Sequence, residues 1–143
     1  MTEGNTKPPT LLIVDDDPSF AKILKRMAER QKAIVSVCKS LDELGTLQAK
    51  VFDIAIVDFD LGTANGLEVT DYLARFSPGC SVILVSQVDN FFPQFYTWPD
   101  TIECFIPKSA GHQEILEAAF TSQKEKSANQ GYAANHGHIN VAR

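Results

Sequence analysis

Two apolar runs that end on carboxylates carry the most chemistry in this chain. "LLIVD", residues 11–15, ends on Asp15 and leads into Asp16 and Asp17; "DIAIVD", residues 53–58, ends on Asp58, with Asp60 two positions on. A buried ionised carboxylate is costly unless it is paired or bound to a metal. Two further runs end on polar groups: "SVILVS" (81–86) closes on Ser86, and "ECFIP" (103–107) is followed by Lys108. Crowded carboxylates repel one another unless a cation intervenes. Oxygen ligands with no His or Cys among them suit a hard divalent ion such as Mg2+, which keeps several waters and borrows phosphoryl oxygens. A carboxylate flanked by such an ion and by Lys108 is placed to attack phosphorus and form an aspartyl phosphate. The metal and the ammonium would neutralise charge on the transferring oxygens, and the Ser86 hydroxyl can bond one of them.

These groups meet only if the intervening elements bring the run ends to one place. Asp17 before Pro18 is a helix start, with Asp as N-cap and Pro at the first position. Phe20, Ile23, Leu24 and Met27 then recur at helical spacing. "AIVSVC" (33–38) is a second strand, and Ser40 with Glu43 forms a capping box that opens a helix through Leu41, Leu44 and Leu47. After a loop between Gly62 and Gly66, Val69, Tyr72, Leu73 and Phe76 make another stripe, stopped by Ser77-Pro78-Gly79. The last helix uses His112, Ile115, Leu116 and Ala119. Continuous apolar strands alternating with amphipathic helices predict an α/β fold, a doubly wound five-stranded parallel sheet covered on both faces. Ligands of such sheets bind outside the carboxyl ends of the strands, where Asp15, Asp16, Asp58, Ser86 and Lys108 all fall.

Composition narrows the class. The chain has 143 residues, 44% hydrophobic and 22% charged, with a formal net charge of −5, which suits one globular domain and argues against nucleic acid as partner. No apolar stretch approaches the ~18 residues of a membrane span, and the first residues lack the order of a signal peptide. Cys38, Cys80 and Cys104 are scattered in or beside apolar runs and read as buried free thiols in a reducing cytoplasm. Residues 1–9 read as a flexible leader, 10–124 as the domain, and 125–143 as a polar, disordered tail, with His136 and His138 in it unassigned to any metal.

The pieces "LIVDDDP", "AIVDFDLGTANGLEV", "VILVS" and "FIPKS", in this order and spacing, resemble the receiver domain of two-component response regulators over roughly residues 10–124. The resemblance implies the flavodoxin-like strand order 2-1-3-4-5. It makes Asp58 the phosphoacceptor, and Asp15 and Asp16 the acid pair that holds Mg2+ with Asp58 and the Asp60 backbone carbonyl. Lys108 becomes the phosphate-contacting lysine, Ser86 the switch hydroxyl and Phe105 the switch aromatic, although Phe105 fits equally as plain core. The expected donor is a histidine kinase or a histidine phosphotransfer protein. Output would run to a downstream protein target, or to self-association, through the face formed by the fourth helix, fifth strand and fifth helix. The implied activity is that of a signalling phosphoacceptor and not an enzyme on an external substrate.

Three features depart from the pattern or compete with it. Gln87 follows Ser86 where the family usually has Ala or Gly, and a long side chain there would crowd the phosphoryl position. "VDNFFPQFYTWPD" predicts an atypical short fourth helix between Asn90 and Pro99. Its aromatics Phe91, Phe92, Phe95, Tyr96 and Trp98 either fill gaps left by that helix or anchor a partner. The second case defines an alternative: a pseudo-receiver that binds its partner whether phosphorylated or not. Haloacid-dehalogenase phosphatases also use Asp-x-Asp, but they place Thr at the fourth position after the first Asp. Here that position is Gly62, with Thr63 one residue late.

Overall fold

In the apolar runs, successive residues enter opposite cores, as expected for strands covered on both sides. The computed structural model describes residues 7–47, 51–62, 65–87, 101–128 and 140–141. In chain order the elements are β1 (Thr10–Val14), α1 (Pro18–Arg30), β2 (Ile34–Cys38), α2 (Leu41–Thr46), β3 (Ile54–Asp58), α3 (Gly66–Phe76), β4 (Ser81–Ser86), β5 (Ile102–Pro107), a 3-10 turn (Lys108–Ala110), α4 (His112–Ala128) and β6 (Asn140–Val141). The helix expected between Asn90 and Pro99 lies outside the described residues, so α4 is the helix anticipated as fifth.

The sheet order is β2-β1-β3-β4-β5-β6, with every pairing parallel. Its first five strands follow the expected 2-1-3-4-5 arrangement. Beyond them, Asn140 and Val141 pair with Cys104 and Phe105, so secondary structure is present where a structureless tail was anticipated. Helix α4 likewise runs past residue 124 to Ala128.

Alternate side chains sort onto the two faces. Leu11, Ile13, Ile54, Ile56, Ile83, Val85 and Ile106 pack with Leu24 of α1 and Ile115 and Leu116 of α4. Leu12, Val14, Ala55, Val57, Leu84 and Phe105 pack with Leu44 of α2 and Val69 and Leu73 of α3. Cys38, Cys80 and Cys104 are free and buried.

Local sequence sets the helix starts. The Asp17 carboxylate caps α1 by accepting from the Ser19 and Phe20 N–H groups at 3.1 and 3.3 Å. Ser40 caps α2 by accepting from Glu43 N at 3.1 Å. The reciprocal bond departs from the usual box: the Glu43 carboxylate accepts from the backbone of Lys39 instead of Ser40. Asn65 caps α3 through Leu67 N at 2.9 Å and Glu68 N at 3.1 Å.

At the far end of the sheet from Asp58, Thr10 and Asp53 lock β1 to β3. Thr10 N donates to Asp53 Oδ2 at 3.0 Å, and Asp53 N lies 3.0 Å from both the Thr10 carbonyl and its hydroxyl. This pins a register that a one-residue slip would invert, turning every side chain to the other face. At the site end, Gly66 lets α3 begin directly against β3, its N–H donating to Phe59 O at 2.7 Å. A Cβ there would lie 2.9 Å from Asp58 O, 2.9 Å from Phe59 Cα and 3.0 Å from Leu84 Cδ2. Two of those neighbours are backbone and cannot swing aside. Gly66→Ala should therefore lower stability by about 1–3 kcal/mol, the cost of overpacking a close contact, seen as a lower urea midpoint. An unchanged midpoint would mean that α3 can slide away from β3 freely.

Candidate functional site

The carboxyl ends of β1, β3, β4 and β5 converge as the run ends require. Asp15 still belongs to the β1–β2 ladder, its N–H donating to Cys38 O at 3.0 Å. Its side chain is 2% exposed, and Oδ1 accepts from Asp17 N at 2.8 Å. Asp16, one residue on, is exposed. Asp58 ends β3 nearly sealed, at 4% exposure, and its Oδ1 accepts from Asp60 N at 3.2 Å. One carboxylate oxygen from each of Asp15, Asp16 and Asp58 lies within 4.8 Å of the others.

Lys108, just beyond β5, reaches back over this group. Its Nζ is 2.9 Å from Asp15 Oδ2 and 3.4 Å from Asp58 Oδ2. An open cleft of about 370 Å3 lies in front, walled by Asp16, Asp17, Asp58, Asp60, Gly62, Ser86, Gln87 and Lys108. Asp17 faces this cleft while its side chain serves the helix cap. Ser86 is buried at the end of β4, and Gln87, next in sequence, is exposed and lines the cleft with it.

Burial dominates the electrostatics. It pushes the Asp58 carboxyl from 3.8 up to about 6; the Asp15 charge adds to the rise, and Lys108 and the Asp60 N–H oppose it. Asp15 is also raised, chiefly by burial, against the pull of Lys108 and the Asp17 N–H. Burial alone would lower Lys108, but its hydrogen bond to Asp15 and the charges of both carboxylates outweigh that and leave it raised. One ammonium thus partly compensates two buried carboxylates. Asp15 Oδ2 is buried, with Lys108 Nζ as its ion-pair partner at 2.9 Å. One oxygen from each of three carboxylates, two of them buried, within 4.8 Å of one another suits a hard divalent cation that prefers oxygen ligands.

Asp15, Asp16, Asp58, Asp60, Ser86 and Lys108 are therefore brought together. Phe105 lies elsewhere, 2% exposed in the core on the α3 face of the sheet. Phe91, Phe92, Phe95, Tyr96 and Trp98 lie outside the described residues. One neighbour was not legible beforehand. Phe20, which reads simply as part of the apolar stripe of α1, places its ring 4.4 Å from Lys108 Nζ. Helical spacing cannot separate a core ring from one that also faces a cation.

Residues 11–120 match the family described as response regulator receiver domain. Among curated proteins, the photosynthetic apparatus regulatory protein RegA of Cereibacter sphaeroides is 32% identical over 78 residues, 54% of this chain and 42% of that protein. The chain spans less than half the length of the curated relatives it matches. Among solved structures, a CheY-like receiver domain protein of Methanospirillum hungatei superposes with a TM-score of 0.76 at 21% identity, covering 86% of this chain and 99% of that one. A response regulator of Burkholderia pseudomallei, solved with a phosphorylated aspartic acid, a calcium ion and citrate, gives a TM-score of 0.63 at 25% identity, covering 86% and 73%.

The raised Asp58 carboxyl makes stability depend on pH. Below about pH 4 it is protonated both folded and unfolded. As pH rises from 3.8 to about 6, the unfolded chain releases the proton first, so the metal-free fold loses stability across that window. Asp58→Asn removes this penalty. At pH 7 without metal it should be more stable than the parent by about 1–3 kcal/mol, and the gain should shrink toward pH 4. Denaturant curves at the two pH values check this; a destabilised Asn variant would show that the Lys108–Asp58 pair outweighs burial.

Proposed function

The chain belongs to the response regulator receiver family of two-component signalling, and on that premise we propose that it is a switch that accepts a phosphoryl group on Asp58. The carrying observation is one cleft in which Asp58 lies beside Asp15, Asp16 and Lys108 with Ser86 on the wall. The family is one of signalling domains and not of enzymes acting on external substrates. No helix among the described residues is long and apolar enough to cross a membrane.

In this reading the donor is a phosphohistidine, carried by a histidine kinase or a histidine phosphotransfer protein. An Asp58 carboxylate oxygen attacks phosphorus, an O–P bond forms as the N–P bond breaks, and the donor imidazole keeps the electron pair. Asp58 must be ionised to attack, and the Asp60 N–H and Lys108 oppose the effect of burial on it. Asp16 and Asp58, the Asp60 carbonyl, and Asp15 directly or through water would hold Mg2+, whose chemistry is to neutralise charge on the phosphoryl oxygens. Lys108 would contact the same oxygens, and the Ser86 hydroxyl would bond one of them. Ser86 and Phe105 form the switch: a hydroxyl that bonds the phosphoryl group in one state and not the other can shift an equilibrium. Output then passes to a downstream target or a second copy through the face containing β5 and α4. The phosphorylation-independent alternative rests on the aromatics of 91–98, which lie outside the described residues.

Incubation with Mg2+ and acetyl phosphate should add the mass of one phosphoryl group to the parent, and none to Asp58→Asn. Asp16→Asn should abolish the addition. A parent chain that stays unmodified would overturn the proposal. Gln87 shields the phosphoryl position in this reading, so Gln87→Ala should shorten the lifetime of the modified chain. A tenfold change needs only about 1.4 kcal/mol of barrier, and equal lifetimes would mean that Gln87 points away from the phosphoryl group.

A further inference from the structure

Lys108 has a third partner besides its two carboxylates. Its Nζ lies 4.4 Å from the centroid of the Phe20 ring, close enough for the ring face to attract the ammonium. The ring is held from several sides. The Phe20 N–H donates to Asp17 Oδ1 at 3.3 Å, which ties the residue to the cap of α1. The His112 imidazole of α4 stacks on the ring with centroids 4.7 Å apart and planes inclined by 34°. His112 Nε2 is buried and makes no hydrogen bond, and the described contact of this imidazole is with the Phe20 ring. Phe20 is 8% exposed and belongs to the same core cluster as Ile115 and Leu116. One aromatic side chain thus joins the first helix, the last helix and the ammonium.

We infer that Phe20 is a positioning residue for Lys108, its π face holding the ammonium at the rim between Asp15 and Asp58. The inference rests on the phosphoacceptor reading for the reaction it serves. Lysine carries a point charge on a flexible four-carbon stem. Here that charge sits nearer Asp15 than Asp58, at 2.9 against 3.4 Å. The pull of the two carboxylates changes whenever one of them is protonated, shared with a cation or esterified. The attraction of the ring does not. A neutral face beneath the ammonium keeps it ordered through those changes, and a pre-placed charge needs no reorganisation as the phosphoryl group arrives. A leucine at position 20 would fill much of the same space and offer no such face.

The test separates the π face from the packing. Phenylalanines of increasing fluorine content at position 20 keep the shape of the ring while withdrawing electron density from its face. Phe20→Leu removes the ring, and Phe20→Tyr retains it. The first readout is the order of the Lys108 side chain, from NMR relaxation of its ε-methylene group in the unphosphorylated protein. The second is the initial rate of phosphorylation by acetyl phosphate at saturating Mg2+. Lys108 order should fall step by step with fluorination while the melting temperature holds. The rate should fall with it, by about three- to tenfold in Phe20→Leu, and Phe20→Tyr should stay near the parent. Order that is unchanged across the fluorinated series would overturn the inference and leave Phe20 as core alone; so would a parental rate in Phe20→Leu. The relaxation readout needs no phosphorylation. A parent chain that takes no phosphoryl group therefore removes the phosphoacceptor reading, while the ordering of Lys108 by the ring stands or falls on that readout.

Discussion

Lys108 holds Asp15 and Asp58 in one buried ion cluster, at 2.9 and 3.4 Å, and the surrounding architecture serves to make that cluster possible. Two carboxylates at 2% and 4% exposure would be prohibitively costly without the ammonium, the Asp17 and Asp60 N–H donors and an open side toward the cleft. All of these depend on register. Asp15 and Asp58 face each other because β1 and β3 pair from Leu11 with Ile54 to Val14 with Val57. Thr10 and Asp53 fasten that pairing at the opposite end of the strands, 43 positions apart in sequence. Gly66 then brings the start of α3 close against the backbone of Asp58 and Phe59 at the end of β3.

The two sides of the sheet contribute unequally. The side covered by α1 and α4 supports the cluster from behind through Phe20 and His112. The other side, covered by α2 and α3, holds Phe105. Adjacent residues Phe105 and Ile106 therefore enter different cores, three and two positions before Lys108. A displacement of the end of β5 would be felt on both faces at once. That gives the end of β5 a geometric means of coupling the two faces.

Much of this was legible in the sequence because the strands are simple. A continuous run such as "SVILVS" has one economical place, the interior of a parallel sheet, and its last residue then falls at the ligand-binding edge. Asp17 announced its cap because Asp followed by Pro has a local meaning that needs no tertiary knowledge. Other features depend on contacts between distant elements and leave no local trace. Asp15 and Asp16 are adjacent and identical in type, yet one is sealed and the other exposed, because only the first is still in the ladder. The Phe20 ring reads as core by spacing, and its cation is 88 positions away. The pairing of Asn140 and Val141 with β5 carries too few residues to produce any periodicity.

The three cysteines have a practical consequence. Cys38 and Cys104 have thiols pushed up to about 12, by burial first and then by the neighbouring Glu43 and Glu103 charges. Cys80 is buried with them. The thiolate is the reactive form, so the raised Cys38 and Cys104 thiols and the burial of all three should make the native chain slow toward alkylating reagents. Each thiol should then react when its own part of the sheet opens. Cys38 ends the edge strand β2, Cys80 precedes β4, and Cys104 lies in β5. Their separate alkylation rates would give local opening free energies for one edge, the centre and the far side of the sheet. The chain thus carries three built-in probes of sub-global unfolding, and it needs no substitution to use them.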